Sequence, residues 1–440
     1  MIARRIALAI AFCGLFSSAF MAGGLSAQCA SISENGSLAS VSDDLAAQER
    51  NPERSWTIGM YWAADNNIDS MTDTFLDIWL DNLWNRDDVS LAIFIDRLEL
   101  PANISTVTEE GWIERECMGD VNSSDPETLS DFIEFFMTEQ YLEAEHYMLV
   151  VQDHGLGYLG ICVDEGEEGR PWMSIDGLGR ALDKATATTG KKLDIIDLDA
   201  CTLATVEVAY ELRNKASYLV ASEIAVPFDG INYMALLDGL SEEPDILPLD
   251  LACKMVDDCE EWYSAPLGTY PTLYPYMQDF TTLSVMDLSK MDGVGTAFAA
   301  LSEELLPKDG TLITPFNTAA QQHFIAMWEN NMGCGFNSDI RGMFGELAEV
   351  LADSHPVVAS LCKDIVSAAD DVIVKNWESW RTRDRLSGMA VFVPPSIGIY
   401  DVNWDSLYRV YDTLELDFVT DSGWDEILLK YFCTMRQHGV

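Results

Sequence analysis

The apolar positions of this chain fall in blocks. WTIGMYWA (56–63), SLAIFID (90–96), HYMLVVQD (146–153), KLDIIDLDA (192–200) and ASYLVAS (216–222) are short, nearly continuous apolar runs bounded by polar or small residues. Runs of this kind predict strands buried on both faces. Helical stretches separate them: one opened by Asp65-Asn66-Asn67 and running to about Trp84, DGLGRALDKATATT (176–189), and TLATVEVAYELRNK (202–215). Another starts at Asp125-Pro126-Glu127, with Asp125 as N-cap and proline in the first turn. Residues 103–116 read as a hairpin insertion. Strands alternating with helices predict an α/β fold, a mostly parallel sheet with helices on both faces. Helices are expected near 246–264, 290–306, 340–353 and 357–378, and strand-like stretches at 282–287 and 388–395. The second half is therefore a helix-rich part packed on the first.

The N-terminus follows another pattern. Arg4 and Arg5 precede an apolar stretch from Ile6 to about Met21, and Leu25-Ser26-Ala27 supplies small residues for cleavage. This is the arrangement of a secretory signal peptide. The expected division is signal peptide 1–27, polar linker 28–52, catalytic core 53–264, and a C-terminal part of the same unit, 265–440. The expected location is secreted or cell-surface. Export permits disulfides. Ten cysteines are present, and removal of Cys13 with the signal leaves an odd number, so at least one thiol stays unpaired.

Charge narrows the partners. The formal net charge is -47 and basic residues form no run. Phosphate binding needs clustered Lys and Arg, so nucleic acid and anionic membrane are disfavoured. The plain reading of the acidity is a solvated, self-repelling surface that keeps the protein soluble; attraction of cationic substrates or of Ca2+ is the sharper reading. Neither C-x-x-C nor H-E-x-x-H occurs, so no zinc site is expected.

VVQDHGLGYLG (150–160) contains glycines at the G-x-G-x-x-G spacing. A dinucleotide turn needs a helix directly after it. Here an acidic loop follows, with Asp164, Glu165, Glu167 and Glu168 where a pyrophosphate would sit. The histidine in front of the glycines carries more. His154 ends one buried strand, and Cys201 ends the next and opens a helix, whose dipole would lower the thiol pKa. Each taken alone also fits a core residue. If the two strands are neighbours, both residues face one crevice outside the C-terminal strand edges and form a Cys/His pair for nucleophilic catalysis.

A strand ending in His-Gly followed by one ending in Ala-Cys resembles the caspase, legumain and gingipain group of cysteine peptidases, and within it the clostripain family. The resemblance runs through WTIGMYWAADNNID, MGDVNSSDPETLSDFIEFF, VVQDHGLGY, LDIIDLDACTLATVEVAYEL, ASEIAVPFDGINY and LSGMAVFVPPSIGIYDVNW, in order over about residues 55–440. It implies a caspase-like fold and an endopeptidase cutting after Arg or Lys. Cys201 is then the nucleophile, His154 the general base and acid, and the backbone amides of Gly155 and Cys201 the oxyanion hole. Asp199 resembles the family's acidic residue at the base of the P1 pocket; helix N-capping is its alternative. Asp153 is read as a carboxylate that orders its loop. After the fifth strand the chain departs from the family's usual acidic or amide residues, and Glu223 and Asp229 become further candidates for the cationic pocket. The resemblance also implies self-processing between histidine and cysteine, with Arg170, Lys184 and Lys191-Lys192 as candidate positions. It requires no cofactor and admits Ca2+, although no EF-hand-like loop fixes a site. The competing reading is a catalytically silent binding or adhesion protein on the same scaffold.

Overall fold

The computed structural model describes residues 55–80, 89–108, 111–227, 229–266, 281–308, 310–323, 337–393 and 410–433. The signal peptide and linker expected over 1–52 lie outside these residues, as do residues 267–280, just after the proposed boundary at 265. Among the described residues no helix is long and apolar enough to cross a membrane.

A nine-stranded sheet runs through the molecule. Its centre is parallel. β1 (Trp56–Ala64) pairs with β2 (Val89–Arg97) on one side and β5 (His146–Gln152) on the other, and β5 leads to β8 (Leu193–Asp199) and β9 (Ala216–Ala221). The order reverses between β1 and β5, which opens a crevice at their C-terminal ends. The expected hairpin is β3 (Leu100–Thr108) and β4 (Gly111–Gly119), an antiparallel extension beyond β2. The other edge comes from the second half of the chain: β10 (Thr282–Asp287) pairs antiparallel with β9, and β12 (Ile373–Glu378) with β10. Two short pairs lie off this sheet. β6 (Ile161–Val163) pairs with β7 (Trp172–Met173), and β11 (Asn337–Asp339) with β13 (Ala390–Phe392).

Alternation along the strands sorts side chains into two cores. Tyr61, Ala63, Leu149, Val151 and Leu198 face one layer of helices: α2 (Pro126–Thr138), α3 (Ile175–Thr189), α4 (Val206–Leu212), α7 (Met291–Leu305), α9 (Ile340–Val350) and α10 (Pro356–Val372). Ile58, Met60, Trp62, Met148, Val150 and Ile195 face α5 (Tyr233–Glu242) and α6 (Pro248–Ser264). Gly59 shows how closely the first layer approaches. A Cβ there would stand 2.3 Å from the ring of Phe136 on α2.

Three expectations shift. The helix after β1 spans α1 (Asp69–Leu80), because Asn66 turns its side chain back to the backbone at Ile68 and holds the connection as a turn. The helix expected over 357–378 ends at Val372, and residues 373–378 form β12. Consecutive β-branched residues Val372-Ile373-Val374 favour extension there, and β10 offers an open edge. The helix expected from 202 begins only at Val206. The main chain of Thr202 donates to Ile224 and that of Ala204 to Ser222, while Ala390 donates to Ala204, so this backbone is already hydrogen-bonded outside any helix. Thr205 is the N-cap, its hydroxyl accepting from Val208 at 3.3 Å. Asp199 therefore does not cap this helix.

Asp125 caps α2 as expected, its side chain accepting from Glu127 at 3.0 Å. Cys117 is disulfide-bonded. Cys162, Cys201, Cys253, Cys259 and Cys362 are free thiols.

Candidate active site

β5 and β8 are parallel neighbours with Gln152 opposite Asp199. Two residues beyond each of these, at the same sheet edge, stand His154 and Cys201. The two turns touch. A Cβ built on Gly155 would lie 2.3 Å from Cys201 O and 3.1 Å from Cys201 N, so the residue after the histidine rests on the peptide of the cysteine. Only glycine allows that approach. The Gly155→Ala variant is expected to push these backbones apart and lower kcat by about 10²-fold, the scale of an ångström-sized misplacement of reacting groups. Steady-state kinetics on a fluorogenic peptide, with circular dichroism to confirm folding, would check this.

Cys201 sits on a sharp turn. Thr202 follows it with φ +61, a left-handed conformation that a β-branched residue adopts only under constraint. Its amide bond to Ile224 at 2.9 Å supplies that constraint. The helix begins five residues after Cys201, so its dipole reaches the sulfur weakly. The expected lowering of the thiol pKa is not found. Burial pushes it up to about 11, with the nearby Asp199 and Asp153 carboxylates adding to the rise and hydrogen bonding from the Val226 backbone opposing it. Burial likewise pulls His154 down to about 4. At neutral pH the pair is thus a thiol and a neutral imidazole.

The residue that orients His154 escaped the sequence reading. Asn67 Oδ1 lies 2.7 Å from His154 Nε2. A carbonyl oxygen only accepts, so the ring proton resides on Nε2 and Nδ1 carries the lone pair. The adjacent Asn66 ties the same turn to the histidine loop. Its amide donates to Asp153 Oδ1 at 2.8 Å and to Val163 O at 3.0 Å. Asp153 Oδ2 accepts from Val163 N at 2.6 Å, which makes this buried carboxylate a brace between the loop and β6. The signal was present: an asparagine pair at the C-terminal edge of the strand beside β5. We expect Asn67→Ala to lower kcat about 10–100-fold, as loss of an orienting partner does elsewhere. Asn67→Asp should also raise the acid limb of the pH–rate profile, because a carboxylate favours the imidazolium. A residue that served folding alone would leave that limb in place.

Behind Cys201 lies a group of acids. Asp199, 5% exposed, accepts from the Tyr233 hydroxyl at 2.5 Å. Its pKa is pushed up to about 6, first by burial and also by the neighbouring Asp229. Gly230 lies against it, with the place of a Cβ 2.3 Å from Asp199 Oδ2, and the Tyr263 hydroxyl donates to Gly230 O at 2.5 Å. Asp197, one alternation inward on β8, is fully buried, and neither of its oxygens has a hydrogen-bond partner. The structure thus brings Asp199 and Asp229 together. Glu223 belongs to another group: its Oε2 accepts from Gly388 N at 2.7 Å, and the carboxylate acting on it most strongly is Asp339.

An α/β sheet that delivers an imidazole and a thiol to adjoining turns at its C-terminal edge has the layout of a caspase-like cysteine peptidase. The sequence model of the clostripain family matches residues 60–431, and the chain belongs to that family. Clostripain of Hathewaya histolytica is 29% identical over 153 residues, which cover 29% of this chain and 27% of clostripain. The matched stretch thus spans about a quarter of that relative's own length. Among solved structures, a secreted C11 cysteine protease from Bacteroides thetaiotaomicron, in complex with an irreversible peptide inhibitor, superposes with a TM-score of 0.59 at 16% identity, covering 84% of this chain and 99% of the other. An inactive zymogen C11 protease from Parabacteroides distasonis gives a TM-score of 0.59 at 18% identity, covering 83% and 97%. At these identities the likeness is one of fold.

Proposed function

We propose that this protein is an exported cysteine endopeptidase that cleaves after Arg or Lys, with Cys201 as nucleophile and His154 as proton carrier. The observation that carries the reading is the contact of the two turns, Gly155 against the Cys201 peptide, with Asn67 holding the histidine. His154 Nδ1 takes the thiol proton as Sγ adds to the scissile carbonyl carbon. The backbone amides of Gly155 and Cys201 donate to the resulting oxyanion. His154 returns the proton to the leaving amine, the C–N bond breaks and an acyl-enzyme remains. Water, deprotonated by His154, then adds to the ester-like carbonyl and frees the sulfur. A neutral imidazole suits this route, since it must accept before it donates.

Support for a basic P1 side chain comes from Asp199 and Asp229 behind the nucleophile. A guanidinium would relieve their mutual repulsion and bind Asp199 in bidentate fashion. Support for export comes from the N-terminal pattern and the Cys117 disulfide. Self-processing between His154 and Cys201 draws little support from its candidate positions. Arg170 is exposed but precedes Pro171, Lys184 is inside α3, and the Lys191 amine is held by Met137 O at 2.9 Å and the Tyr147 hydroxyl at 2.7 Å. A panel of fluorogenic peptides with Arg, Lys or neutral P1 residues tests the reading. Turnover of the Arg and Lys members is expected, and a protein inert toward the whole panel would favour the silent binding scaffold.

A further inference from the structure

The loop after β12 gathers positive charge in a chain whose net charge is -47. Trp380, Arg381, Arg383 and Arg385 are all exposed, and Asp384 is the one acid between them. The Arg381 guanidinium lies over the Trp380 ring at 4.5 Å. Elsewhere Arg97, Arg170, Arg180, Arg213 and Arg341 are each paired with a carboxylate. Arg383 and Arg385 have no such partner among the described residues. Three nearby carboxylates hold the loop by its main chain instead. Glu378 accepts from Asp384 N at 2.9 Å and from Leu386 N at 3.3 Å. Asp339 Oδ2 accepts from Ser387 N at 2.7 Å and from the Ser387 hydroxyl at 2.6 Å. Glu223 Oε2 accepts from Gly388 N at 2.7 Å. These bonds keep Asp384 at φ +64, a conformation that a residue other than glycine holds only where its surroundings impose it. The loop is thus a fixed platform that turns its guanidiniums outward.

The platform stands on the catalytic rim. β12 runs antiparallel to β10, and β10 antiparallel to β9, so the end of β12 lies at the edge where β8 and β9 also end. Leu386, the last residue before the anchored serine, packs on Ile224 and Ala390. Ile224 O accepts from Thr202 N at 2.9 Å, and Thr202 follows Cys201. Two contacts therefore join the loop to the turn of the nucleophile. From β8 to β12 there are three strand spacings. They amount to about 14 Å, which about four residues of extended chain would span.

We propose that Arg381, Arg383 and Arg385 form a substrate-docking surface for acidic side chains that lie about four to six residues from the scissile bond; this rests on the peptidase reading. The rest of so acidic a surface repels a carboxylate-rich chain, and the arginine loop gives it a place to land. A guanidinium pairs with a carboxylate in bidentate fashion, and the Trp380 ring offers an apolar face beside it. A basic P1 residue within an acidic stretch then meets Asp199 at one end and the arginines at the other. A uniformly basic sequence meets like charge at the loop and is rejected there.

Internally quenched peptides with a single Arg test the surface on the full exported chain. One set carries a pair of Glu residues about four to six positions from the Arg, on either side, and the other has Gln in their place. Wild type should cleave the best Glu peptide with kcat/KM about tenfold above its Gln counterpart, the gain lying in KM. The preference should drop below about threefold in about 0.5 M NaCl, where charges are screened within about 4 Å. Arg383→Gln/Arg385→Gln should lose the preference, and Arg383→Glu/Arg385→Glu should invert it. Lys290→Gln/Lys363→Gln, the same change of net charge at exposed positions elsewhere, should keep it. Circular dichroism melts confirm that each variant folds. A fluorescent Glu peptide without Arg, titrated into Cys201→Ala by anisotropy, reads the loop without turnover. Its binding should weaken at least about fivefold when Arg383→Gln/Arg385→Gln is added. The proposal falls if wild type treats Glu and Gln peptides alike, if the arginine variants keep the preference, or if the lysine pair loses it equally. Cleavage of the protein's own chain after Arg383 or Arg385, seen by mass spectrometry, would make the loop a substrate and overturn it as well. If no peptide is turned over but the Glu peptide binds as expected, the peptidase reading falls and the acid-binding surface stands.

Discussion

Cys201→Ala is expected to lower kcat/KM by at least about 10⁴ for every P1 residue, the scale seen when a covalent nucleophile is removed. Among the other described free thiols, only Cys253 on α6 is partly exposed, and burial raises its pKa too. Cys162 and Cys259 are fully buried with pKa values pushed well up by burial, and Cys362 is pushed up to about 12. Exchanging a thiol for a hydrogen leaves little void at a partly exposed position, so Tm should stay within about 2 °C of wild type. Fluorogenic assays of both proteins, with mass spectrometry after a thiol-directed irreversible peptide, read the two parts separately. The reagent should add to Cys201 in the wild type, and the adduct at that position should be lost in the variant. Residual turnover within tenfold of wild type would remove Cys201 from the mechanism.

Asp199→Asn should lower kcat/KM for Arg substrates by about 10²–10³, as expected when one partner of a buried ion pair is lost. Peptides with neutral P1 residues should change by less than about threefold, since they make no ion pair there. The amide carbonyl can still accept from Tyr233, so the pocket wall should survive the change. The pH profile gives a second reading. Asp199 has its pKa raised to about 6, and only its charged form attracts the substrate cation. In the wild type kcat/KM for Arg substrates should therefore fall as pH drops through about 6. That limb should vanish in Asp199→Asn and be absent for neutral P1 residues. Unchanged cleavage after Arg would shift the role to Asp229, the other carboxylate of the group.

Several features of the fold were legible because they are local. The five central strands show as apolar runs, and their buried, two-sided character is what a parallel sheet imposes. The α2 cap at Asp125 needs only its own neighbours. His154 and Cys201 could be proposed as partners because each follows such a strand, and strands of a parallel sheet end at one edge. The sequence misled where a distant segment supplied hydrogen bonds. Residues 202–205 have helical composition, yet their main chain is claimed by 222–224 and 390. Residues 373–378 continue a helical pattern, yet β10 takes them as an edge strand.

The amino-acid order alone thus determined the strand and helix alternation, the acidic surface and the two residues of the proposed chemistry. Tertiary structure decided what those residues experience. A thiol pushed up to about 11 and an imidazole pulled down to about 4 follow first from burial, which no single segment encodes. The Asn67 contact with His154 and the grouping of Asp199 with Asp229 join residues well apart in the chain. Such contacts depend on strand order and on how the loops close over the sheet edge, and periodicity carries no record of either.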